Sequence, residues 1–174
     1  MVDLIDEITK ALDEENYAIS IFLDLSKAFD TVNHSILLSK LDVYGIRDIE
    51  NQWFRSYLKK GKQKVFVNGV ESDFLEVNSG VPQGSILGPF LFLIYINDFE
   101  KATNYFSLRL FADDTSLTAT GKDLDVLLQR INSELPAIHE WLCSNRLTLN
   151  LSKTKYLFFN HDKKLIPIYI LLSN

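Results

Sequence analysis

The chain has 174 residues, 47% of them hydrophobic and 12% aromatic, with a net charge of −5, which is apolar material for one sizeable core and excludes a disordered polymer. Cys143 is the only cysteine and three scattered histidines give no zinc-ligand spacing, so a disulfide scaffold and a zinc module are excluded, and a reducing, intracellular setting in cytoplasm or nucleus is expected. The acid excess counts against a simple nucleic-acid-binding module, the acidic N-terminus is unlike a signal peptide, and Ile86–Ile96, the longest apolar run, is interrupted by Gly88 and Pro89; a soluble chain with no membrane partner is expected.

Val2, Ile5, Ile8 and Leu12 fall on one helical face, predicting an amphipathic helix over residues 2 to 12. Tyr17 to Leu25 is a β-branched and aromatic run of strand length, with Asp24 near its end. Ser35 to Leu41 reads as a helix stopped by Gly45. Asp48 offers an N-cap to a second helix carrying Trp53, Phe54, Tyr57 and Leu58, which Gly61 stops. Arg55 to Lys64 is the one basic cluster, read as a solvated helix end rather than a phosphate patch. Asn68-Gly69 inside Val65 to Val70 signals a tight hairpin. Asn78 to Gly84 is a loop rich in turn residues, and a helix is expected to follow it through Phe99. Strands flank Asp113-Asp114. Asp123 caps a long helix with a stripe of Leu124, Leu127, Leu128, Ile131, Leu135, Ile138 and Leu142, which Pro136 is expected to kink. Two short strands, Leu147 to Leu149 and Lys155 to Phe159, come last. This order predicts an α+β fold with helices on one face of a small antiparallel sheet, leaving the other face open to a ligand.

Adjacent aspartates at the tip of an apolar hairpin read first as a turn. A second strand, however, also ends in a carboxylate, Asp24. Buried strands that end in unpaired carboxylates are costly unless the acids share a cation. Nucleotidyl transfer needs such a site, because divalent metals neutralise triphosphate charge and activate a hydroxyl, and magnesium takes oxygen ligands.

Five stretches resemble successive motifs of reverse transcriptases, in that family's order: Phe-Leu-Asp-Leu-Ser-Lys-Ala-Phe-Asp (22 to 30), Ser-Gly-Val-Pro-Gln-Gly-Ser-Ile-Leu-Gly-Pro (79 to 89), Tyr-Ile-Asn-Asp (95 to 98), Phe-Ala-Asp-Asp (111 to 114) and Leu-Asn-Leu-Ser-Lys-Thr-Lys (149 to 155). The aromatic-Ala-Asp-Asp box is similar to that of non-LTR (LINE-type) retrotransposons rather than retroviruses. The resemblance implies a polymerase palm that uses two Mg²⁺ ions, with Mn²⁺ as substitute, to add deoxynucleoside triphosphates to a DNA primer on an RNA template. Asp24 and Asp113 match the family's metal ligands, and Asp114 the second member of the doublet. Phe29 matches the aromatic that excludes a ribose 2′-hydroxyl, Gln83 and Gly84 match nucleotide-contacting positions, and Lys153, with Lys155 as its rival, matches the triphosphate lysine. Phe111 reads as a neighbour of the primer end or as sheet packing. The resemblance also implies that this is a single palm domain truncated of its fingers and thumb, regions of the parent polyprotein, and so weak or inactive alone.

Other readings carry less. His34, His139 and His161 read as surface or helix residues, Trp53 and Trp141 as core. Ser85 lacks a nucleophile elbow, and Gly84 to Gly88 lacks the Gly-Lys-Ser/Thr ending of a P-loop. A palm-like nucleotide cyclase needs a Gly-Gly-acidic hairpin, which is absent. The alternative outside enzymes is a degenerate retroelement remnant acting as a non-catalytic binding module.

Overall fold

The computed structural model describes residues 2–59, 62–76, 78–82, 84–111 and 114–160. In chain order the elements are α1 (Val2–Asp13), β1 (Tyr17–Leu23), α2 (Ala28–Thr31), α3 (His34–Val43), α4 (Asp48–Lys59), β2 (Lys62–Gln63), β3 (Phe66–Val67), β4 (Val70–Glu71), β5 (Leu75–Glu76) and α5 (Leu87–Ile96). A 3-10 helix (Asn97–Ala102), β6 (Ser107–Phe111), β7 (Asp114–Gly121), α6 (Leu124–Ser144) and β8 (Lys155–Phe159) complete it. The chain divides into two compact units, Met1–Ser26 with Phe99–Ser144 and Thr148–Asn174, and Lys27–Asp98 with Asn145–Leu147. Among the described residues no helix is long and apolar enough to cross a membrane.

The first unit is built on an antiparallel sheet in the order β6-β7-β1-β8. Ile19, Ile21 and Leu117 are fully buried on one face, each contributing about 2 kcal/mol by leaving water. Ala18 and Ser20, on the other face, are also 0% exposed. There the Ser20 and Thr118 hydroxyls satisfy each other at 3.0 Å, which removes the cost of burying them. On that same face Arg109, in register with Ser116, donates to Glu7 Oε2 at 2.6 Å and to the Asp3 carbonyl at 3.1 Å, tying β6 to α1. Cover thus extends over part of both faces. The second face is open toward the end that carries Phe111, Asp114 and Lys155, all exposed.

Asp123 Oδ1 accepts from the Val126 N–H at 2.9 Å, capping α6 as expected. Leu127, Ile131, Leu135, Ile138 and Leu142 form its buried stripe, and the helix runs through Pro136. The expected strand at Leu147 to Leu149 reduces to one bridge, Leu149 to Leu25.

In the second unit α5 carries Leu91, Phe92, Tyr95 and Ile96 into the core beside Leu37 and Leu41 of α3. It ends at Ile96, three residues short of the expected Phe99, where the chain tightens into the 3-10 helix. Asn51 Nδ2 donates to the carbonyls of Leu38 at 2.9 Å and Ile46 at 3.2 Å, joining α4 to the end of α3. The β3–β4 hairpin turns at Asn68 (φ 50°) and Gly69 (φ 83°), the left-handed pair that such a turn requires. Trp53, expected in the core, is 53% exposed and stacks on Tyr57 at 5.6 Å instead, because α4 buries its Leu58 side. Trp141 is half-buried, edge-on to Phe99 at 4.7 Å.

Candidate active site

The last pair of the β1–β7 ladder is Leu23 with Thr115, both 3% exposed. One step further on each strand stand Asp24, half-buried, and Asp114, exposed. Because strand residues alternate between faces, Asp114 stands on the face away from the core that Thr115 enters. Across the hairpin Asp114 pairs with Phe111, which is 82% exposed and therefore not sheet packing.

Asp24 lies past the ladder, yet its backbone is fixed. Its carbonyl accepts from the Asn150 N–H at 2.8 Å and its N–H donates to Thr154 Oγ1 at 3.3 Å. Thr154 Oγ1 in turn donates to the Asn150 carbonyl at 3.0 Å, and Ser26 N–H donates to the Thr148 carbonyl at 2.8 Å. The 148–154 turn thus brackets the chain on both sides of the carboxylate. Lys153 is exposed within this turn, and Lys155, exposed on β8, is in register with Phe22.

Asp113, Gln83 and His161 lie outside the described residues. Among the described residues no three His, Cys, Asp or Glu side chains gather as a metal site. The donor chemistry nevertheless suits a hard divalent cation: Asp24 and Asp114 supply carboxylate oxygens at one sheet end, and magnesium is commonly held by one or two carboxylates with substrate phosphates completing its shell.

The remaining predicted residues fall in the second unit. Phe29, in α2, is half-buried with its ring 4.8 Å from Phe92. Behind it the chain makes an irregular clasp: Val81 N–H donates to the Phe29 carbonyl and Gly80 N–H to the Val32 carbonyl, each at 2.8 Å, while Asn33 bridges Ser79. Gly80 has φ 88°, and a Cβ there would stand 2.9 Å from the Asp30 carbonyl oxygen, so the approach requires glycine. Beyond Pro82, the Ser85 hydroxyl donates to the Pro82 carbonyl at 2.7 Å and accepts from Gly88 N–H at 2.9 Å. Ser85 is therefore a capping residue at the start of α5, with no sign of a nucleophile's role. Gly84 has φ 78° and open space where a Cβ would stand.

One polar network escaped the sequence reading. Tyr95 is fully buried; its hydroxyl donates to the Asn145 carbonyl at 2.6 Å and accepts from Asn33 N–H at 3.3 Å. Burial pushes its phenol above the ordinary 10.0, against a smaller lowering by the Asn33 hydrogen bond. Lys40 donates to the Tyr95 carbonyl at 2.6 Å and pairs with Asp98. Tyr95 and Asp98 sit in the 95 to 98 motif, and Asn150 and Thr154 in the 149 to 155 motif, so the motifs carried the signal without the roles.

A family model described as reverse transcriptase (RNA-dependent DNA polymerase) matches residues 2–165. The chain belongs to the reverse transcriptase family. It is 29% identical over 154 residues to the RNA-directed DNA polymerase from mobile element jockey of Drosophila melanogaster, a match that covers 83% of this chain and 16% of that protein. It is also 29% identical over 175 residues to the probable RNA-directed DNA polymerase from transposon X-element of the same fly, covering 96% and 19%. The non-LTR resemblance read from the motifs therefore holds, and the chain spans under a fifth of the length of these relatives. A telomerase from Candida tropicalis, solved with a fragment of telomeric RNA, superposes with a TM-score of 0.67 over 90% of this chain and 29% of its own, at 14% identity. That likeness establishes the α+β palm fold, a small antiparallel sheet with packed helices. Reverse transcriptases work with divalent metal ions.

Proposed function

We propose that this chain is the palm of an RNA-directed DNA polymerase that adds deoxynucleotides to a DNA primer on an RNA template. The observation that carries the reading is the pair of carboxylates, Asp24 and Asp114, standing one step beyond the final Leu23–Thr115 pair of two neighbouring strands. Two Mg²⁺ ions, or Mn²⁺ in their place, would be held by Asp24, Asp113 and Asp114, and when bound they supply charge neutralisation of the triphosphate and activation of the primer 3′-hydroxyl. The bond made joins the 3′-oxygen to the α-phosphorus, and pyrophosphate leaves.

The chain's own residues have separable tasks in this reading. The bracket of Asn150 and Thr154 keeps the Asp24 backbone fixed, so its carboxylate does not have to be ordered at the moment of reaction. Phe29, backed by Phe92, serves as a rigid ring against a ribose 2′-hydroxyl. Gln83 and Gly84 contact the incoming nucleotide, and Lys153, or Lys155 beside it, neutralises triphosphate charge. Fingers and thumb regions of the parent polyprotein complete the grip on the duplex, which ordinarily buries on the order of 1,000 Å² or more of protein. An intracellular setting belongs to the same proposal.

Primer extension on an RNA template with Mg²⁺ tests it, using this chain, its Asp113→Asn variant and a version joined to fingers and thumb. Extension that Asp113→Asn abolishes supports the reading. Failure of every form favours the remnant that binds without catalysing.

A further inference from the structure

His34 opens α3 and has no place among the residues assigned above. Its Nε2 lies 2.7 Å from the Gly80 carbonyl oxygen. A carbonyl only accepts, so Nε2 carries the proton and the ring donates. This side-chain bond ties α3 to the 79–82 segment, and it falls on Gly80, the residue whose missing Cβ allows the segment to lie against Asp30. The main-chain bonds from Gly80 and Val81 to Val32 and Phe29 close the same clasp from the other direction. On the far side Ser85 ties Pro82 to the start of α5. Gly84, which follows Pro82 and precedes Ser85, is therefore flanked by these ties, with His34 holding the leading anchor.

We infer that His34 is a positioning residue for nucleotide selection: by donating to the Gly80 carbonyl it locks the 79–82 segment onto Phe29–Asn33, fixing the crown that carries Gly84 relative to Phe29. The inference rests on the polymerase reading for what the crown contacts, and on the hydrogen bonds alone for the lock. Its ligand is a deoxynucleoside triphosphate. His34 does not touch that ligand, and it acts on affinity and sugar discrimination through the loop.

The test compares the 174-residue chain with His34→Leu, which removes the donor, and His34→Gln, whose amide reproduces an N–H at similar reach. Two quantities are read: amide hydrogen exchange at Gly80 and Val81, and the affinity for deoxythymidine triphosphate and for its ribose counterpart in the presence of Mn²⁺. In His34→Leu the two amides exchange about tenfold faster and deoxynucleotide affinity falls by a similar factor, the scale of one lost hydrogen bond. The preference for deoxyribose narrows. His34→Gln restores all three, and Mn²⁺ affinity without nucleotide stays unchanged throughout. Unchanged exchange in His34→Leu overturns the lock, as does a His34→Gln as defective as His34→Leu, since the ring's packing would then be what matters. Altered exchange with unaltered nucleotide affinity overturns the selection role and leaves a purely structural one. A wild type that binds no nucleotide, neither as this chain nor joined to fingers and thumb, overturns the polymerase reading and the selection role with it, while the exchange arm still decides the lock. If His34→Leu does not fold, His34→Asn takes its place, keeping polarity while shortening the donor's reach.

Discussion

Asp24 ends a strand that is hydrogen-bonded on both sides, to β7 and to β8, and the turn at 148–154 adds two further bonds to its own backbone. Phe29 to Asn33, the short helix α2 and its exit, and the irregular segment Ser79 to Val81 are joined by two main-chain bonds, a bridge, one histidine and a glycine that admits no substitute. The first region owes its geometry chiefly to ladder register, which many residues share, with the Thr154 hydroxyl as the side chain that bonds the Asp24 backbone. The second owes its geometry to a few close approaches, so single substitutions there should move it. In the proposed reading, placement shared across a ladder suits metal ligands, which tolerate little displacement, while a segment held by a few close ties is where a single substitution can alter nucleotide contact.

The largest expected effect tests the sheet end. Asp24→Asn should lower primer extension on the order of a thousandfold or more, the scale of losing a metal ligand in a two-metal site. It should also abolish Mn²⁺ binding measured with a deoxynucleotide bound, while the melting temperature stays put; retained binding would break the comparison at its first term. Next comes the clasp. Gly80→Ala places a Cβ against the Asp30 carbonyl at an unfavourable φ, and should cost about 1–3 kcal/mol in urea unfolding. Loss under a few tenths would mean that the clasp is looser than its distances imply. Tyr95→Phe removes a buried hydroxyl bonded to Asn145 and Asn33, and should cost about 1–2 kcal/mol.

Tyr95 also gives a pH signature. Its folded-state value lies above the unfolded 10.0, so the folded chain keeps the proton longer. The contribution is whole below pH 10.0 and is lost as the pH rises through the folded-state value; Tyr95→Phe should flatten that alkaline decline in a melting-temperature series. In an active form, Phe29→Ala should raise ribonucleotide incorporation relative to deoxynucleotide; unchanged selectivity would return Phe29 to a packing role against Phe92. Trp53→Ala should have the smallest effect on stability, under about 1 kcal/mol, because the ring is already half in water.

Much of this was legible in the chain itself. The β-branched run at Tyr17–Leu23, the Asn68-Gly69 turn, the α6 stripe with its Asp123 cap and the Asp-Asp hairpin are local signals, each decided by a period or a turn residue within a few positions. The exposure of Trp53 was not legible, because its helical spacing fits either face and only the packing of Leu58 chooses between them. Nor was the end of α5, where a continuous apolar run hides the change to a 3-10 helix.

What the sequence alone determined is most of the long elements and the family: strand ends bearing carboxylates and motifs in reverse transcriptase order, readable because periodicity and residue type act over short distances. What only the tertiary structure decided is partnership. The Asn150–Thr154 bracket on Asp24, the Tyr95 hydroxyl between Asn33 and Asn145, and the His34 bond to Gly80 join residues 46 to 130 positions apart. No local pattern encodes such pairs, because they form only once the ladder and the helices have brought distant backbone into hydrogen-bond reach.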